Sequence, residues 1–167
     1  MVTEKKVPVA VVMGSDSDLN VMQSCIDQLI YFGIPHTVRI ISAHRTPQVA
    51  AEFSAGAAEN GIKVIIAAAG MAAHLAGAMA AGTTLPIIGV PIESGGLGGM
   101  DALLSTVQMP PGVPVATMAV GKAGARNAAI FAVQILALSD GKLAHKIAEF
   151  KKNQAQKVIE KDKNIQK

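Results

Sequence analysis

The stretch from Val64 to Ile92, VIIAAAGMAAHLAGAMAAGTTLPIIGVPI, contains no formally charged residue. That is long enough to raise the question of a membrane span. Gly70, Gly77, Gly82, Pro86 and Pro91 punctuate it, however, and alanine outnumbers leucine. The pattern therefore predicts a strand, a helix and a second strand buried inside a soluble, cytoplasmic protein. Working outward, the same alternation continues in both directions. Apolar runs at Val7–Met13, Thr37–Ile41, Lys63–Ala68, Pro86–Val90 and Val115–Val120 are rich in Val and Ile, as strands covered on both faces are. Between and after them, helical patterns cover Asp18–Phe32, Pro47–Asn60, Ala73–Ala81, Met100–Val107 and Ala123–Leu138. Ser17 is placed to cap the first helix and Gly33 to end it, while Thr46-Pro47 opens the second and Gly61 closes it. Strands alternating with helices predict an α/β fold, a three-layer doubly wound sandwich around a central parallel sheet, flavodoxin-like in layout, plus a C-terminal helix.

With 167 residues and 17.2 kDa the chain is one domain's worth of protein, residues 1–167, of which about 142–167 form an amphipathic, lysine-rich helix. Half of the residues are hydrophobic and 16% are charged, which excludes intrinsic disorder. Aromatics make up only 3%, so the core is built of small side chains that let backbones approach closely. The net charge of +3 invites a nucleic-acid reading, but the charge is unevenly spread. Residues 142–167 carry +5 and residues 1–141 carry −2. No aromatic platform or base-reading motif accompanies the lysines, so no nucleic-acid partner is expected.

One cysteine, Cys25, excludes an intramolecular disulfide and a cysteine-built zinc site, and its place inside a helix predicts a small buried hydrophobe. The apolar run Val7–Met13, preceded by Lys5 and Lys6, is too short for a signal peptide and ends in Ser-Asp-Ser-Asp. No membrane association is expected. The helices Ala73–Ala81 and Ala123–Leu138 have almost no polar face, and such helices need more cover than one sheet provides. A homo-oligomer is the expected source of that cover. Leu143, Ile147, Phe150 and Val158 stripe the C-terminal helix, which is expected to dock on a neighbouring subunit.

In an open parallel sheet, ligands bind beyond the carboxyl ends of the strands, where the strand-to-helix loops converge. Those loops hold the chemically informative residues. Gly14-Ser15-Asp16-Ser17-Asp18 offers a glycine turn, two hydroxyls and free amides at a helix start, which suits either a phosphate or simple capping. Asp16 and Asp18 lack a third hard ligand at recognisable spacing, so no metal is expected. His44-Arg45 stands just before a helix, where a histidine can move protons and an arginine can grip a phosphate or carboxylate; a structural histidine is the alternative. His74, among Ala and Gly, reads equally as a core residue. The glycine-rich Ser94–Gly99 has no Gly-Lys-Ser/Thr ending, which argues against a P-loop and suits a flap beside a ligand or subunit. Lys122 is open between a phosphate contact and a solvated charge.

Taken together, Met13-Gly14-Ser15-Asp16-Ser17-Asp18, Ser42-Ala43-His44-Arg45-Thr46-Pro47, Ala69-Gly70-Met71-Ala72-Ala73-His74-Leu75 and Val107-Gln108-Met109-Pro110 resemble the N5-carboxyaminoimidazole ribonucleotide mutase family of purine biosynthesis. The resemblance runs in order from Val7 to Leu138, and the Arg-Thr-Pro form resembles the mutase class more than the related class that carboxylates directly with CO2. It implies a cofactor-free isomerase acting on a small ribonucleotide and assembled as an octamer. It implies His44 as the proton-shuttling residue. Ser15, Ser17 and Arg45 would hold the phosphate and its surroundings, and Asp18 the ribose hydroxyls. Ser42 and Ala43 would border the base, and Gly70, His74 and Leu75 the migrating carboxylate.

The sequence departs from the family pattern at Met71, commonly Gly, and at Ala76, commonly Pro. Met71 restricts the backbone and adds bulk beside the CO2 pocket, whereas Ala76 removes a φ restraint. Competing readings are a direct carboxylase on the same fold and a non-catalytic flavin- or phosphate-binding module. The loops contain no aromatic residue to stack a flavin. Ala68-Ala69-Gly70 also stands where a phospho-receiver would need Asp.

Overall fold

The computed structural model describes residues 7–166; Lys5 and Lys6, and the outermost ends of the expected domain, lie outside them. Five parallel strands form one sheet in the order β2-β1-β3-β4-β5: β1 Val9–Met13, β2 His36–Ile40, β3 Val64–Gly70, β4 Ile87–Ile92 and β5 Ala116–Thr117. The helices are α1 Leu19–Phe32, entered through a 3-10 turn at Asp16–Asp18, α2 Pro47–Gly56, α3 Leu75–Gly82, α4 Met100–Val107, α5 Lys122–Ala137 and α6 Gly141–Ile165. The strand order reverses direction between β1 and β3, the point at which loops from the two halves part and leave a crevice.

Side-chain alternation on β1 shows how the three layers form. Val9, Val11 and Met13 pack with Val64, Ile66, Ile88 and Val90 against α1, α5 and α6, while Ala10 and Val12 pack with Ile65, Ala67 and Ile87 against α2 and α3. Cys25 is buried in the first cluster, and burial pushes its thiol up to about 12, so it is an inert hydrophobe at neutral pH.

Several boundaries differ from the sequence reading, each for a local reason. α2 stops at Gly56, and Asn60 bonds back to the Gly56 carbonyl through its amide and side chain; Gly61, at φ +83°, closes that turn rather than the helix. β4 continues through Pro91 to Ile92, because β5 ends opposite Gly89 and leaves no ladder on that side to interrupt. β5 itself shrinks to two residues, beyond which the Met118 and Gly121 amides alone reach the Gly89 and Pro91 carbonyls. β2 is an edge strand with Val38 and Ile40 exposed, so the expectation of strands covered on both faces fails there.

The C-terminal helix is a further correction. Leu143, Ile147 and Phe150, at i, i+4 and i+7, bury into this chain's own core beside α5. The Asp140 carboxylate caps α6 by accepting from the amides of Lys142 and Leu143. The first half of α6 thus supplies cover for α5 from within the same chain, and only the half beyond Phe150 is exposed throughout.

Candidate functional site

The ends of β1 and β3 set the floor of the site. The Gly14 amide donates to the Ala68 carbonyl and the Ile41 amide to the Met13 carbonyl, so the three loops leave the sheet from one rigid platform. In the first loop Ser15, not Ser17, is the capping residue. Its hydroxyl accepts from the Ser17 amide, while the Asp18 carboxylate accepts from the Ser15 amide at 3.1 Å. Ser17 fails as a cap because the chain makes a 3-10 turn before the α-helix begins, which puts the first free amides two residues earlier. The Ser17 hydroxyl instead donates to the Ser15 hydroxyl at 3.0 Å. Burial pushes the Asp18 carboxyl above its ordinary value, with bonds from Ser15, Ser17 and Gly14 opposing the rise and Asp16 adding to it.

The second loop is tied to itself. The Ser42 hydroxyl accepts from the Arg45 amide at 3.1 Å, and the Thr46 hydroxyl receives the Ser42 amide and donates to the Ser42 carbonyl. Thr46 is therefore used inside the loop and makes no side-chain cap to α2. This stapling leaves His44 and Arg45 exposed at the helix start. The third loop rises from β3, which extends past Ala68 to Gly70. There a Cβ would run into the Ser94 hydroxyl and lie 3.0 Å from the Ile92 carbonyl oxygen, so a side chain would have to push Ser94 aside and press on the backbone. Met71 follows at φ +54°, the only non-glycine residue with positive φ among the described residues. That conformation costs a non-glycine residue roughly 1–2 kcal/mol.

These loops enclose a cavity of about 480 Å³. Ser15, Ser17, Asp18, Ser42, Ala43, His44, Arg45, Gly70, His74 and Leu75, all singled out from sequence, line it. His44 Nε2 lies 2.7 Å from His74 Nδ1, with the rings edge to face. One of these nitrogens must carry the shared hydrogen and the other accept it, so the pair has two tautomeric arrangements. His74 is thereby drawn out of the core reading into the site. His36, by contrast, donates from Nδ1 to the Ile34 carbonyl and is structural. Lys122 is exposed and does not line the cavity. The Met109 side chain packs against Gly77 of α3 rather than on the cavity.

Gly14, Ala69, Met71, Ala72 and Ser94 also line the cavity without having been assigned a role. Ser94 had a usable signal: it is the first hydroxyl past β4, two residues beyond Ile92, in a segment read only for its glycines. Gly95, Gly98 and Gly99 take positive φ, but they stand outside the lining. A larger cavity, about 680 Å³, lies between α1, α5 and α6, away from the strand ends, and has neither paired histidines nor converging loops. Among the described residues, no group of three or more His, Cys, Asp or Glu could hold a metal, and no helix is long and apolar enough to cross a membrane.

A five-stranded parallel sheet with a polar cavity at its switch point defines a flavodoxin-like α/β protein with a small-molecule crevice. The family model described as AIR carboxylase matches residues 8–157. A Bacillus subtilis (strain 168) protein named N5-carboxyaminoimidazole ribonucleotide mutase is 53% identical over 152 residues, covering 91% of this chain and 94% of its own length. An Escherichia coli (strain K12) protein of the same name is 50% identical, covering 91% of this chain and 90% of its own. The crystal structure of Treponema denticola PurE aligns with a TM-score of 0.85 at 30% identity, over 95% of this chain and 98% of that one. The chain belongs to the AIR carboxylase family.

Proposed function

We propose that this chain, working as one domain, is an N5-carboxyaminoimidazole ribonucleotide mutase of purine biosynthesis. The observation that carries the reading is that three separate strand-to-helix loops, each resembling the family's, converge on one cavity, with Ser94 of a fourth loop beside them and His44 and His74 in contact. Ser15 and Ser17 stand at the turn that opens α1 and Arg45 at the start of α2, a favourable setting for the 5′-phosphate. Asp18 takes the ribose hydroxyls, Ser42 and Ala43 border the base, and Gly70, His74 and Leu75 surround the carboxylate.

The chemistry gives and takes one proton. Protonated His44 donates to the exocyclic nitrogen as its bond to the carboxylate carbon breaks; the electron pair stays on nitrogen and CO2 is released in place. The electron-rich C4 then attacks CO2, forming the new carbon–carbon bond. Neutral His44 removes the C4 proton, restoring the aromatic ring and its own starting charge. Holding CO2 beside C4 replaces a bimolecular capture by one of high effective concentration. Protons pass only between the substrate and His44, which ends each cycle as it began, so the step as written calls on no cofactor.

The test presents two substrates in parallel and follows the C4-carboxylated product by absorbance. Fast conversion of N5-carboxyaminoimidazole ribonucleotide, with little product from aminoimidazole ribonucleotide and bicarbonate, is the expected result. Conversion of the second alone would make the protein a direct carboxylase. Binding of ribonucleotide without either conversion would leave a non-catalytic nucleotide-binding module. Arg45→Ala should weaken binding of 5′-phosphorylated ligands roughly ten- to a hundredfold. Titration calorimetry with the bare nucleoside should show little change, and equal losses for both would remove Arg45 from the phosphate.

The proposed assembly is an octamer in the cytoplasm. Leu97 and the α4 residues Met100, Leu104 and Val107 form an apolar stripe between 49% and 67% exposed, and Val38 and Ile40 on the edge strand add to the uncovered surface. Exposed apolar surface at both ends of the sheet suits subunit contacts. Sedimentation should give a single closed oligomer of eight chains, whereas a stable monomer would overturn the assembly.

A further inference from the structure

We propose that Met71 is a specificity-determining residue that covers the reacting end of the cavity and retains CO2 between the two bond events. The inference rests on the reaction proposed above and extends it to a residue outside the assigned set. Met71 is the only non-glycine among the described residues held at positive φ, and its side chain is 60% exposed. Packing within its own chain is therefore not what holds this conformation in place. It lines the cavity between Gly70 and the His74 loop, directly beside the groups that face the carboxylate. Strain kept at such a place without burial in return points to the site.

The neighbouring lining explains why a cover is needed. Gly14, Ala43, Ala69, Gly70 and Ala72 present almost no side chain. The other sizeable apolar residue, Leu75, is 2% exposed and fixed in the core. CO2 is small, uncharged and weakly hydrogen-bonding, so dispersion contacts and exclusion of water are the means of delaying its escape. A methionine with three rotatable bonds can admit the ribonucleotide and then close over the vacated space. A glycine here would relax the backbone but leave that end open.

The test follows entry of labelled CO2 from the medium into the carboxylate of the C4-carboxylated ribonucleotide, normalised to the rate of substrate–product interconversion. Met71→Gly should raise label entry per turnover on the order of five- to tenfold, the effect of losing one apolar contact with the trapped gas. Met71→Leu, which keeps apolar bulk, should restore retention towards the parent value. Met71→Gly should also melt higher than the parent, since it removes the strained conformation; this separates a retention defect from damage to the fold. Label entry in Met71→Gly equal to that of the parent, or equally raised in Met71→Leu, would overturn the cover. If the parent protein interconverts nothing, the assigned reaction falls and the proposal with it, an outcome distinct from unchanged label entry in an active enzyme.

Discussion

His44→Asn should reduce turnover about a thousandfold or more while leaving ribonucleotide affinity within a few-fold of the parent. The rate expectation follows from the range of general acid–base contributions, about 10²–10⁴-fold, applied to a residue used twice in each cycle. Asparagine keeps a planar polar group that can donate towards His74 Nδ1, which His44 Nε2 approaches to 2.7 Å, so the loop has a partner to preserve its shape. What asparagine lacks is a proton that can be given and recovered near neutral pH. The loop itself is held by Ser42 and Thr46 rather than by the imidazole, which is why binding should survive. Initial rates combined with calorimetric binding of the product test both halves. Activity within tenfold of the parent would remove His44 from proton transfer.

Gly124→Ala should destabilise the fold by about 3 kcal/mol, against a helix-propensity gain of at most about 1 kcal/mol. Gly124 is buried in the first turn of α5, where a Cβ would run into the Ala119 carbonyl oxygen and approach its carbonyl carbon at 2.6 Å. Both atoms belong to the backbone, so no side chain can swing aside. Relief requires moving the chain that links β5 to α5, and α5 packs on α1, α6 and the sheet. For a protein of this length the loss corresponds to a fall in Tm of roughly 6–12 °C. Gly56→Ala is the matched control, because its Cβ would meet only the Asn60 amide nitrogen at an ordinary 3.5 Å. Thermal melts of both variants decide the matter: equal Tm values would mean that the α5 approach is not tight.

Much of the site was legible because it is carried by short local strings. Ser42 to Pro47 keeps its spacing whatever the rest of the chain does, and a loop following an apolar run in a parallel sheet opens at the strand's carboxyl end. The capping residue was misassigned because a 3-10 turn and an α-turn are indistinguishable in composition at Asp16–Asp18. Ser94 was overlooked because its significance depends on β3 and β4 running two residues beyond the β1 pairing, which places its hydroxyl against Gly70. The docking of α6 was misjudged because a stripe of Leu143, Ile147 and Phe150 states that a face is buried without stating whose core receives it.

The kinds of element, their order, the absence of a spanning helix pattern and the loops that carry polar groups can all be read from the chain before it folds. Those follow from periodicity and turn chemistry, which act over a few residues. The strand order, and hence the crevice between β1 and β3, the edge position of β2 and the burial of the first half of α6 on its own chain emerge with the folded packing. That packing also decides that His44 and His74, thirty positions apart, share one hydrogen bond, and that Met71 is bent into a left-handed turn at the cavity. Pairing and packing join residues far apart in the chain, and their energies depend on which surfaces meet, information that no local pattern contains.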